Sequence, residues 1–144
     1  MSQIDWKKVA EKELRTYNEV CLALQSLPDL IERQKLISGR IRTNNPSKVS
    51  RRRVVDNDAQ LSAIVYRDEL EQRLKEVKKT VDAIDRALAA MSEEEYLVLD
   101  VFYINPRKNG SDLLCEKLNV ERTAVYERRI KALRKFTRIL YGCD

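Results

Sequence analysis

Apolar positions recur along this chain at helical intervals. Ala10, Leu14, Tyr17, Cys21 and Leu24 step by four, three, four and three residues, which places them on one helix face. Pro28 follows. Ser26-Leu27-Pro28-Asp29 reads as a cap and first turn, where the missing proline N–H costs nothing. Leu30, Gln34, Ile37 and Ile41 then continue as a second helix or as a kinked extension of the first. Between Ser38 and Gln60 the spacing lapses among Gly39, Asn44, Asn45, Pro46, Ser47 and Ser50, which predicts a loop or linker. The cleanest periodicity comes next, with Leu70, Leu74, Val77, Val81, Ile84, Leu88 and Met91 stepping by four and three over three heptads. A helix of some thirty residues there is ~45 Å long at 1.5 Å per residue. It cannot bury such a stripe alone, so it pairs with the first helices in a hairpin or with its counterpart in a second copy.

Ser92-Glu93-Glu94-Glu95 resets the pattern as a cap followed by first-turn acids, placed where the helix dipole favours negative charge. Tyr96, Leu97, Leu99, Val101, Phe102 and Tyr103 make the helix that follows. Asn105 to Gly110 has the turn chemistry of a loop. Ser111 or Asp112 is the expected cap of a short scaffold helix facing inward with Leu113, Leu114 and Leu118. The chain then turns at Asn119-Val120, since asparagine tolerates left-handed dihedrals. A last helix packs on Val120, Val125, Ala132, Leu133 and Phe136. The expected fold is all-α: a helical hairpin or coiled-coil region at 1–92, with a basic loop near 38–60, and a helix-turn-helix domain at 93–144.

Composition agrees with that reading. Three Gly and three Pro among 144 residues, with 35% charged side chains, suit helices rather than sheets. No apolar run nears the ~18 residues of a membrane span, and the first residues lack the layout of a signal peptide. The expected location is therefore cytoplasmic, with no membrane partner. Cys21, Cys115 and Cys143 are too far apart for a zinc motif and are read as small apolar residues. Trp6, Tyr17 and Tyr66 are in phase with apolar neighbours and are expected to anchor the core or seam.

Charge changes the picture more. From Arg122 to Arg138 seven cations face one acid, Glu127, giving +6 where the whole chain is +5. A basic helix behind a turn and a scaffold helix is the electrostatic footprint of a reader of double-stranded DNA. The first exposed positions of that helix, Arg122, Thr123, Tyr126 and Glu127, are the candidates for base edges. Arg128, Arg129, Lys131, Arg134, Lys135 and Arg138 are the candidates for phosphate. Arg51, Arg52 and Arg53, in the basic loop, form a possible second arm. Catalysis is not expected, because the chain has no histidine and its glycines at 39, 110 and 142 form no phosphate loop. No cofactor or metal is expected either.

The order Glu94-Glu95-Tyr96, Val98-Leu99, Val101-Phe102-Tyr103, a polar loop, Leu113 to Leu118, then Val120 to Phe136 resembles region 4 of sigma factors. The tail Lys131-Ala132-Leu133-Arg134-Lys135-Phe136 with Tyr141-Gly142 is closer to the ArpU/RinA group of phage-encoded transcriptional regulators. The resemblance covers about Met91 to Gly142 and is only architectural upstream. Two positions depart from the pattern: Glu121 stands where a serine cap is usual, and Arg128 where an apolar residue is usual. The resemblance implies a sigma-region-4-like domain and a phage or prophage regulator of late genes acting with host RNA polymerase. A homo-oligomer, favoured as a dimer, is expected. Two alternatives fit the same layout: a small terminase subunit binding packaging DNA, and a coiled-coil adaptor binding a polymerase subunit without DNA.

Overall fold

The computed structural model describes residues 3–43 and 50–144, with side chains described at 3–37 and 58–144. The described chain is all-α, with no strand among the described residues: α1 (Trp6–Thr43), α2 (Ser50–Ala89), α3 (Glu93–Leu99), a π-helical turn (Asp100–Ile104), α4 (Gly110–Leu118) and α5 (Arg122–Tyr141). No helix among the described residues is long and apolar enough to cross a membrane.

The chain divides into two compact units, Met1–Val20 with Thr80–Asp144, and Cys21–Lys79. In the first, Ala10 and Leu14 of α1 and Ile84, Ala87 and Leu88 of α2 join Met91, Val98, Leu99, Val101, Tyr103, Leu114, Val125 and Phe136 in one buried cluster. The packing therefore runs across the expected boundary at 92/93. The three C-terminal helices are too short to bury a core alone, and the ends of the long helices supply the missing apolar surface. Trp6 stacks on Tyr141 with ring centroids 4.9 Å apart. Tyr17 packs against the same core and donates its hydroxyl proton to Asp85. Asn18 donates to the Ile104 carbonyl at 3.1 Å and to Asn105 Oδ1 at 2.9 Å.

The second unit is a thinner pairing of α1 with α2. Leu27, Ile31 and Leu70 are buried, with Leu74 and Val77 against them. Of the two readings at Pro28 the extension of the first helix holds, and two further expectations are corrected. Pro28 lies inside α1, because burial of Leu27 and Ile31 against Leu70 on either side of it offsets the lost hydrogen bond. The inward line accordingly passes through Leu27 and Ile31, while Leu30 and Ile37 are exposed. Tyr66 is also exposed and anchors nothing in the core, since Ala63 and Leu70 hold the inward face of α2. Finally, residues 38–43 and 50–60 are helical where a loop over 38–60 is predicted, and residues 44–49 lie outside the described residues. The side chains of Arg51, Arg52 and Arg53 lie outside the described residues.

The heptad line from Leu70 to Met91 is buried or half-buried at every step. Ser92 closes a capping box: its hydroxyl accepts from Glu95 N at 3.2 Å while Glu95 Oε1 accepts from Ser92 N at 3.1 Å, which satisfies two backbone donors at once. After Leu99 the helix widens, and Asn105 N donates to Asp100 O at 2.8 Å, the i→i+5 bond of a π turn.

Candidate nucleic-acid interface

Two short-range decisions place the basic helix. The first is the start of α4. Asn109, not Ser111 or Asp112, stands at its cap and makes no side-chain cap bond. Gly110 is the first helical residue, and glycine fits there because a Cβ would lie 2.8 Å from Val101 Cγ1, closer than packed carbons tolerate. The scaffold helix thus lies directly on the π turn. The second decision is Asn119, at φ 54° and ψ 49°, the left-handed conformation that ends α4 and reverses the chain. Glu121 follows as the α5 cap without a side-chain hydrogen bond, which leaves first-turn amides open to an anion.

α5 then presents two faces. Val125, Ala132, Leu133, Phe136 and Thr137 are buried; the Thr137 hydroxyl is satisfied by Leu133 O at 2.7 Å. On the other side Arg122, Thr123, Tyr126 and Glu127 are all exposed, so the four candidates for base contact share one open surface at the start of the helix. Arg122 is not unconstrained: its guanidinium donates to Asp112 Oδ1 of α4 at 3.0 Å, and that pairing raises its pKa.

The candidates for phosphate contact divide. Arg128 is half-buried and paired with Glu94. Lys135 donates to Glu95 Oε1 at 2.9 Å. These two bonds tie α5 to the first turn of α3. Burial pushes the Glu95 carboxyl up, but hydrogen bonds from Lys135 and Ser92 outweigh it and hold the group below the ordinary 4.5. Arg134 and Arg138 both reach Asp144 Oδ2, at 3.3 and 3.0 Å. Lys131 is exposed and has no ion pair among the described residues. Exposed pairs of this kind are worth only about 0–1 kcal/mol, so a phosphate can displace the carboxylate partners of Arg134 and Arg138.

Arg129 is placed differently. Its Nε donates to the Tyr103 hydroxyl at 2.8 Å, and its guanidinium lies 4.7 Å from the Phe102 ring centre and 5.2 Å from that of Tyr103. Arg15 of α1 lies over the same Tyr103 ring at 5.5 Å. Tyr103 is almost fully buried; burial pushes its hydroxyl pKa up, with Arg129 opposing. Arg129 is therefore a packing cation that locks α5 onto the π turn.

Several groups at this surface were not foreseen. Asp112 orients Arg122, and Asp144 joins two cations; neither relation has a local signature. Ile130 is exposed on the same side of α5 as Tyr126, and its place one turn later was readable from the spacing. Cys115 is half-buried and Cys143 exposed, so Cys143 does not behave as a core residue.

No curated protein and no solved structure matches the chain. A family model described as "Protein of unknown function (DUF1492)" matches residues 35–137. That span takes in part of α1, all of α2, α3 and α4, and α5 as far as Thr137, so the chain belongs to the DUF1492 family.

Proposed function

We propose that this protein is a sequence-specific double-stranded DNA-binding regulator of phage or prophage late genes, working in the cytoplasm with host RNA polymerase. The observation that carries the reading is the joint exposure of Arg122, Thr123, Tyr126 and Glu127 directly after the left-handed turn at Asn119. In a sigma-region-4-like domain those side chains enter the major groove from the N-terminal turns of α5. Lys131, Arg134, Lys135 and Arg138 then meet phosphate, the last three by exchanging a carboxylate for it. The protein acts as a homodimer, which agrees with the exposed Leu22, Leu36, Leu61 and Val65 of the Cys21–Lys79 unit. Mass measurement separates this from a small terminase subunit, for which a ring of eight or more subunits is expected.

Gel shift of duplex DNA by the wild type, Arg122→Ala and Tyr126→Ala proteins tests the reading. Affinity is expected to fall steeply with salt, and each substitution to relax the sequence preference. An unchanged preference would remove these residues from the interface. One observation favours a second reading. Five of the seven cations on α5 already have carboxylate partners, as in an adaptor whose basic helix serves a protein contact. Absence of binding to random duplex at low salt would make that adaptor the better account.

A further inference from the structure

Ile130 and Tyr126 are open without being needed elsewhere. Ile130 is 58% exposed and Tyr126 48%, whereas Val125, Ala132, Leu133 and Phe136 pack α5 on its scaffold. A single exposed apolar side chain requires no explanation. Here two large ones stand four residues apart, so they lie one above the other on a helix face. Arg122 stands one turn before them and Arg134 one turn after, with Thr123, Glu127 and Lys131 beside them. The order along the row is cation, aromatic, aliphatic, cation. A row of this kind, set among cations, fits a polyanion that carries small apolar groups on its inner surface. In the major groove that feature is the C5-methyl of thymine, the one aliphatic group that unmodified DNA presents there.

We propose that Tyr126 and Ile130 form an apolar pair that seats thymine methyl groups, so that the preferred site carries thymines opposite the second and third turns of α5. The inference rests on the DNA-binding reading and adds which base the face selects. Lys131 and Arg134 supply attraction that is blind to that choice, and the pair supplies the discrimination for thymine beside the base contact of Arg122. Each methyl removed from such a contact is expected to weaken binding about fourfold. The C5-methyl is shared by 5-methylcytosine, so the test separates the two sources.

The full-length protein is offered three pools of duplexes with a randomised core. One is made with ordinary bases, one with deoxyuridine replacing thymidine, and one with 5-methylcytosine replacing cytosine. The expected winners from the ordinary pool contain thymine at fixed positions. Uracil at those positions lowers affinity about fourfold per site, and the 5-methylcytosine pool yields no new motif. Ile130→Ala and Tyr126→Ala proteins still bind the winners with steep salt dependence, but their thymine-to-uracil affinity ratio falls toward one. Because both side chains are exposed, the variants are expected to fold, which circular dichroism checks directly. Uracil-indifferent binding by the wild type, or a uracil effect kept by both variants, would overturn the methyl-seating role while leaving DNA binding intact. A motif built on 5-methylcytosine would overturn the thymine assignment. Failure to bind any pool at low salt would instead sink the DNA reading itself. Loss of self-association in Ile130→Ala, with uracil-indifferent binding, would assign the face to a second copy of the chain.

Discussion

The unit formed by Met1–Val20 with Thr80–Asp144 and the unit formed by Cys21–Lys79 draw on the same two long helices, yet they treat apolar surface differently. In the first, three C-terminal helices and a π turn close over the helix ends, and Tyr103, Phe136, Leu14 and Ile84 become almost inaccessible. In the second, α1 pairs with α2, and among the described residues Leu22, Leu30, Leu36, Ile37, Leu61, Val65 and Tyr66 remain exposed. Periodicity makes a helix pair, but a third layer is needed before most of the apolar side chains leave water. The first unit carries the candidate interface on a closed core, and the second leaves apolar side chains exposed.

Substitutions sharpen that contrast. Phe136→Ala removes a fully buried ring and is expected to cost about 3–5 kcal/mol in urea unfolding. Ile31→Ala, in the thinner unit, is expected to cost about 2 kcal/mol. An equal loss at both sites would break the comparison. Gly110→Ala forces Val101 aside and is expected to cost ~1–3 kcal/mol, with the loss read in the melting temperature of the full chain. Replacing Leu61 and Val65 together by serine is expected to raise a dimer dissociation constant on the order of tenfold while leaving the near-ultraviolet dichroism of Trp6 and the tyrosines unchanged. Sedimentation at several concentrations reads that shift.

The smallest effect concerns Glu95. Its carboxyl is held below 4.5 in the folded chain, so the folded state binds the proton less readily than the unfolded one. The stabilisation is fully present above 4.5 and is lost as pH falls through the lowered value. Glu95→Gln is expected to cost about 0.2–1 kcal/mol at pH 7. The two unfolding curves should converge as pH drops below 4.5, and a gap that persists in acid would mean that the loss is one of packing.

Much of this architecture was legible before the structure, and the reason is locality. The heptads from Leu70 to Met91, the Ser92/Glu95 capping box and the Asn119 turn each follow from residues within a few positions of one another. What escaped depends on distant partners. Pro28 stays helical because Leu27 and Ile31 are held by Leu70. Arg128 and Lys135 meet acids 34 and 40 residues earlier in the chain. By spacing alone Arg129 is one more cation of the basic helix; Phe102 and Tyr103, 27 and 26 residues earlier, are what hold it. Charge counting finds a basic helix without distinguishing cations that face outward from those that fasten it down.

The π turn at Asp100–Ile104 has one more consequence. A π turn closes over one more residue than an α turn and so winds less than the α-helix's 100° or so per residue; rewinding Asp100–Ile104 as α-helix with no residue removed would rotate everything downstream. Phe102 and Tyr103 would no longer both flank Arg129, and Gly110 would lose its seat on Val101. The widened turn therefore works as a phase adjuster, setting the angular position at which the scaffold helix, and α5 behind it, leaves the core.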